Sequence, residues 1–179
     1  FYGETATVYL VGNRGVRPYR ILFVSLAYVG ATQSLGVVIS ASHNPHYDNG
    51  IKFFDGFGAK LSDEVQENIE RLLTTPAITL ESGQLGKARR IDTARERYQD
   101  FCTSTFPEDL RLDGMKVVFD GANGAGYKVG PRTLNKLGAE VITIGCSPNG
   151  ININDGCGST EPELLQKTVA AVDAAVGIA

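Results

Sequence analysis

With 179 residues, 42% of them hydrophobic and 21% charged, the chain is long enough to bury one large core or two small ones. A formal charge of -3 and a pI near 5.4 argue against nucleic acid as a partner, while leaving room for a small anionic substrate at a locally positive site. Cys102, Cys146 and Cys157, 44 and 11 residues apart, match no CxxC pair or zinc spacing and read as reduced thiols; the apolar run 21–29 is too short to cross a bilayer and has no charged leader, so a soluble, cytoplasmic protein is expected.

In chain order, "TATVYLV" (5–11) and "ILFVSLAYV" (21–29) are apolar enough for buried strands, the second equally compatible with a helix, and an arginine-bearing loop separates them. Gly36 to Ile39 is a short apolar run without alternation, the pattern of a central strand covered on both faces. Residues 51–61 predict a hairpin about Asp55-Gly56-Phe57-Gly58. A helix should start at Ser62 as N-cap, carry Asp63 and Glu64 in its first turn, place Val65, Ile69, Leu72 and Leu73 on one face, and stop before Pro76. The low-periodicity stretch 75–88 is the expected domain connection, and 92–106 repeats the helical pattern with Ala94, Tyr98, Phe101 and Thr105.

After Gly114 the pattern becomes regular: a strand at 115–120, a glycine-rich turn, a helix about 131–137, a strand at 140–145, a loop, a helix, and a last strand near "AVGIA". Thr160 and Glu163 have capping-box spacing around Pro162, and Leu164, Leu165, Thr168, Val169 and Val172 form the expected buried stripe. This order predicts right-handed crossovers, a parallel sheet, and ligand binding beyond the carboxyl ends of its strands. The fold class expected is α/β, with mixed or parallel sheets and flanking helices.

Chemistry concentrates where the run "GVVIS" gives way to "ASHNPHYDNG". Pro45 and the Asp48-Asn49-Gly50 turn end the strand near Ala41, leaving Ser42 exposed beside His43 and close in sequence to Lys52. Its hydroxyl can serve as a nucleophile or phosphate carrier, with imidazole and ammonium groups handling protons and charge. The residues alone equally describe an Asx or Ser turn in which Ser42, Asn44 and Asp48 bond to local backbone, and composition favours that reading. "DGANGAGYKVG" (120–130) fits neither dinucleotide nor P-loop fingerprint and reads as tight helix-on-strand packing. "SPNGININDGCGSTEP" (147–162) reads as a long turn before a helix, His46 as a surface loop residue, and Asp63, Glu64, Glu67 and Glu70 as a solvated helix face.

"GVVISASHNPHYDNGIKFF" (36–54) followed by "GAKLSDEVQENIE" resembles the active-site segment of the α-D-phosphohexomutases. The resemblance continues through "ERYQDFCTSTFP", "KVVFDGANGAGYKVGPRTLNKLGAEVITIGCSPNGININ" and "GST", covering about residues 33 to 179. It implies two phosphohexomutase-type α/β domains, at 1–90 with the phosphoserine loop and at 91–179. It also implies a reaction in which a phosphoserine donates to the sugar, a bisphosphate reorients, and the serine recovers a phosphoryl group from the other position.

The serine of S-H-N-P maps onto Ser42, not Ser40; Lys52 becomes a candidate for proton transfer or phosphate stabilisation, His43 lines the site, and Asn44 and Asn49 shape the loop. The implied cofactors are Mg2+, with Ser42 as one ligand, and a glucosamine 1,6-bisphosphate intermediate. The Tyr47-to-Phe54 wording points to glucosamine 6-phosphate and 1-phosphate, on the route to UDP-N-acetylglucosamine and peptidoglycan, with mannose or glucose phosphates as the alternative. An inert phosphate-binding module is the reading from outside the enzymes. Residues 1–30 depart from the family wording, the chain opens on Phe1, and the family's D-G-D-G-D-R metal loop is expected one residue past Ala179. Both domains are therefore expected to be incomplete, with only the serine ligand of the metal site present and the piece inactive alone; oligomeric state stays open.

Overall fold

A computed structural model describes residues 36–76, 81, 83 and 90–179. The strands expected at 5–11 and 21–29 and most of the 75–88 connection lie outside these residues. The described residues gather into two compact units. One holds 36–39, 51–76, 81, 83 and 90; the other joins Ser40–Gly50 to Ile91–Ala179.

Strands β1 (Gly36–Ser40) and β2 (Gly50–Phe54), which apart from Ser40 and Gly50 belong to the first unit, pair in a two-stranded sheet. Val37 and Ile39 are each 37% exposed, so β1 is not covered on both faces as its apolar run suggested: an apolar tetrapeptide states preference, not what is available to cover it. The hairpin after β2 forms through an antiparallel bridge from Phe54 to Lys60. Asp55 organises its turn, its Oδ1 accepting the Phe57 and Ala59 amides at 2.9 Å each, while Gly58 takes φ +82°.

Helix α1 (Asp63–Leu73) packs Ile69, Leu61, Phe53 and Val65 together. The Ser62 hydroxyl makes no cap bond; the Gln66 side-chain nitrogen instead donates to the Leu61 carbonyl at 3.0 Å. Leu73, expected on the buried face, is 44% exposed at the end of the helix, past the residues of the cluster.

In the second unit, α2 (Ala94–Ser104) packs against α3 (Val129–Lys136), helped by a Lys136–Asp100 ion pair of 2.8 Å. Phe101 is exposed on α2, stacked near Tyr98. Strands β3 (Lys116–Asp120), β4 (Glu140–Ile144) and β5 (Val176–Ile178) form a parallel sheet in the order β4-β3-β5. Val117 and Val118 are consecutive and both essentially inaccessible, so the central strand is covered on both faces. Each contributes about 1.5–3 kcal/mol by that burial.

Helix α3 approaches one face where Gly130 lies on the Phe119 ring, too close for any side chain at 130. Helix α4 (Glu163–Val172) covers the other through Leu165 and Val169, which sit against Gly177, the register partner of Val118. Thus the glycine-rich turn serves close helix-on-strand packing, as its sequence suggested. The capping box does not form: Pro162 is the residue before α4, and Thr160 lies in a preceding turn where the Glu161 amide donates to the Gly158 carbonyl at 3.1 Å. Leu164 is 46% exposed, leaving Leu165 as the buried residue of the stripe.

Candidate functional site

The polar residues after β1 end the strand at Ser40, and Ala41 is buried immediately beyond it. The chain then turns sharply: the Asn44 amide donates to the Ala41 carbonyl at 2.8 Å. Ser42 is exposed and has φ +53°, a left-handed conformation that costs a non-glycine residue about 1–2 kcal/mol. Its amide donates to the Ser40 hydroxyl at 3.0 Å, so the two serines have different roles: Ser40 accepts a bond that supports the turn, and Ser42 presents its hydroxyl. The Ser42 Oγ lies 3.4 Å from His43 Nδ1, long for a hydrogen bond but close enough to tighten when the hydroxyl reacts. Downstream, the Asp48 amide donates to the Pro45 carbonyl at 3.0 Å and the Asn49 side chain to the His46 carbonyl at 2.6 Å, which gives Asn49 its expected loop-shaping part.

This loop sits, within the same unit, on segments leaving the carboxyl ends of β3 and β4. Asp120, 2% exposed at the end of β3, accepts the Ala122 amide on Oδ1 at 2.8 Å and the Gly158 amide on Oδ2 at 2.7 Å, tying the two segments together. Ala122, Asn123 and Asn154 all take left-handed φ near +50°, and the Asn154 amide donates to the Ala122 carbonyl at 2.9 Å. Asn123 spans the segments with its side chain, donating to the Asn152 carbonyl at 3.2 Å and accepting the Ser147 amide at 2.9 Å. The Asn154 side-chain nitrogen donates to the Ser42 carbonyl at 3.0 Å and to the Asn44 carbonyl at 2.8 Å.

The two thiols here are held above their ordinary pKa. Burial pushes Cys146 up, partly offset by its hydrogen bond with the Gly121 backbone and reinforced by Asp120. Burial likewise raises Cys157, with the negative charges of Asp120, Asp155 and Glu161 adding to it.

Of the three predicted site residues, Ser42 and His43 stand together, while Lys52 is exposed on β2 in the other unit. Among the described residues no three His, Cys, Asp or Glu side chains gather in a metal-binding group. The described residues therefore do not supply a donor set that fits Mg2+, and no step below runs through it. Sequence reading missed Asn154, Asp120 and the supporting role of Ser40. The only signal for the first was its place in an Asn, Asp and Gly-rich stretch, which composition assigned to a simple turn.

Residues 3–78 match the family described as phosphoglucomutase/phosphomannomutase, alpha/beta/alpha domain I. The match reaches back through residues 3–30, whose wording the sequence reading set apart from the family's. A phosphoglucosamine mutase from Marinomonas sp. (strain MWYL1) is 54% identical over 157 residues, and one from Haemophilus influenzae 53%. Each alignment covers 87% of this chain and 35% of the relative, so the chain spans about a third of the length of the curated relatives it matches.

In fold, it is similar to a phosphoglucomutase/phosphomannomutase family protein from Burkholderia thailandensis, with TM-score 0.56, 23% identity, and coverage of 80% of this chain and 30% of that one. It is also similar to the Aspergillus fumigatus N-acetylphosphoglucosamine mutase, solved with GlcNAc-6P and magnesium, with TM-score 0.54, 17% identity, and coverage of 82% and 40%. The chain is homologous to phosphohexomutases and has their α/β fold.

Proposed function

We propose that this chain, a homologue of phosphoglucosamine mutases over 87% of its length, carries the phosphoryl-accepting serine of a mutase that interconverts glucosamine 6-phosphate and glucosamine 1-phosphate. The observation that carries the reading is Ser42: exposed, in a left-handed turn at the end of β1, and inside the S-H-N-P wording. A hydroxyl held on a short turn at a sheet edge is accessible yet positioned, as phosphoryl transfer demands.

In the forward half, a sugar hydroxyl oxygen attacks the phosphorus on phospho-Ser42, the Oγ–P bond breaks, and the hydroxyl proton passes to a base, leaving a hexosamine 1,6-bisphosphate. In the return half, the Ser42 oxygen attacks the other phosphoryl group and its ester bond to the sugar breaks. His43, 3.4 Å from Ser42 Oγ, is the nearest group able to hold or release a proton. Lys52, taken from the family resemblance, is assigned to proton transfer or phosphate stabilisation. Residues 1–90 and 91–179 are assigned to the family's domains I and II, in a cytoplasmic enzyme on the route to UDP-N-acetylglucosamine.

Intact-mass and peptide mass spectrometry of the full-length protein tests the reading. A phosphoryl group on Ser42, lost in Ser42→Ala, supports it, whereas a label on Ser40, or none, overturns it. Turnover of glucosamine phosphate above mannose and glucose phosphates tests the sugar, and the reverse preference refutes the assignment.

A further inference from the structure

We infer that Asn154 is a positioning residue for Ser42, acting across 112 residues of sequence to set the direction in which the serine hydroxyl points. The inference rests on the phosphoryl-transfer reading of Ser42. The serine occupies a backbone region that L-residues avoid, and such conformations persist only where their surroundings over-determine them. Local bonds do part of this: Ser40 Oγ accepts the Ser42 amide and the Ala41 carbonyl accepts the Asn44 amide. Neither restrains the Ser42 or Asn44 carbonyl. Both point to one nitrogen, the Asn154 side-chain amide, at 3.0 and 2.8 Å, so a single group fixes both ends of the tripeptide carrying the hydroxyl.

Asn154 is itself anchored: its amide bonds the Ala122 carbonyl, and the segment beyond it is latched to buried Asp120 through Gly158. An NH2 group is required here, because two carbonyls converge on it and a carboxylate or hydroxyl of the same reach cannot donate to both. Asparagine also tolerates the left-handed φ of +55° that aims the side chain at the loop.

The experiment compares wild type, Asn154→Asp and Asn154→Ala in the full-length protein, with hydrogen exchange at the Asn44 and Asp48 amides read beside steady-state kinetics. The expected result is faster exchange at both amides, a kcat lower by about tenfold to a hundredfold, and a KM for the sugar phosphate within about threefold, since substrate binding is left intact. Asn154→Asp, close to isosteric but unable to donate, should lose as much kcat as Asn154→Ala. Unchanged exchange overturns the inference, as does faster exchange with unchanged kcat in an active enzyme. If wild type neither turns over nor carries phosphate while exchange still rises in both variants, Asn154 does hold the loop, and it is the mutase reading that falls.

Discussion

Asp120→Asn should unlatch the two segments beneath the serine loop, and its cost follows from the two bonds that the carboxylate makes. Asp120 is 2% exposed, and its two oxygens accept the Ala122 and Gly158 amides at 2.8 and 2.7 Å. A hydrogen bond to a charged acceptor contributes about 1.5–3 kcal/mol and a neutral one about 1 kcal/mol. Asparagine keeps one acceptor, so one bond weakens by about 1 kcal/mol. The other becomes a donor facing a donor, leaving a buried N–H unsatisfied at about 1–3 kcal/mol. Relief of the buried charge returns part of this, and the net loss is about 2 kcal/mol.

Against a stability of about 0.05–0.15 kcal/mol per residue, that is a large share of what a unit this size has. With a urea m-value of about 2 kcal/mol/M, the unfolding midpoint should fall by about 1 M with m unchanged. Asp120→Ala, which orphans both amides, should fall further. A midpoint for Asp120→Asn within about 0.2 M of wild type, or Asp120→Ala more stable than Asp120→Asn, would refute the reasoning. The second result would mean that the clash of the asparagine NH2 with a backbone N–H outweighs the one bond asparagine keeps.

Gly130→Ala puts a methyl group into the Phe119 ring, 2.6 Å from its Cε2, and should destabilise by about 1–3 kcal/mol in a thermal melt; pairing it with Phe119→Leu should recover part of the loss. Ser40→Ala removes the acceptor of the Ser42 amide, and phosphorylation of Ser42 should slow without moving to another residue, as peptide mass spectrometry would report. For Cys146 and Cys157, whose thiols are pushed up by burial first, alkylation rates should rise with pH at a midpoint above that of a free thiol. The sign for stability follows: a folded pKa raised above the unfolded one favours the neutral thiol. The contribution is thus fully present below the ordinary thiol range and lost as pH rises through the raised values. A pH titration of the urea midpoint checks this, and a gain in stability on passing that range would contradict it.

The second unit was the more legible because its signals are local and agree with one another. "KVVFD" is β-branched and apolar enough to be nothing but a central strand, and Val117 and Val118 duly lie buried in a parallel sheet. Ends and faces were less legible. The Thr160 box fails because a turn at Gly158 claims the preceding backbone, and Leu164 and Leu73 lie outside because helical spacing names a stripe without saying how wide a surface covers it.

The serine loop divides the same way. That the strand ends before Ala41 and exposes Ser42 follows from Pro45 and the Asp-Asn-Gly turn, which act on the residues next to them. That Ser42 is left-handed does not follow from them, since a serine there is locally unfavourable. The compensation comes from Ser40 two residues before and Asn154 far along the chain, in a stretch whose composition reads as an ordinary turn. No pattern within a window of a dozen residues contains that pair. A site whose strain is local and whose support is distant is where reading along the chain is bound to fail.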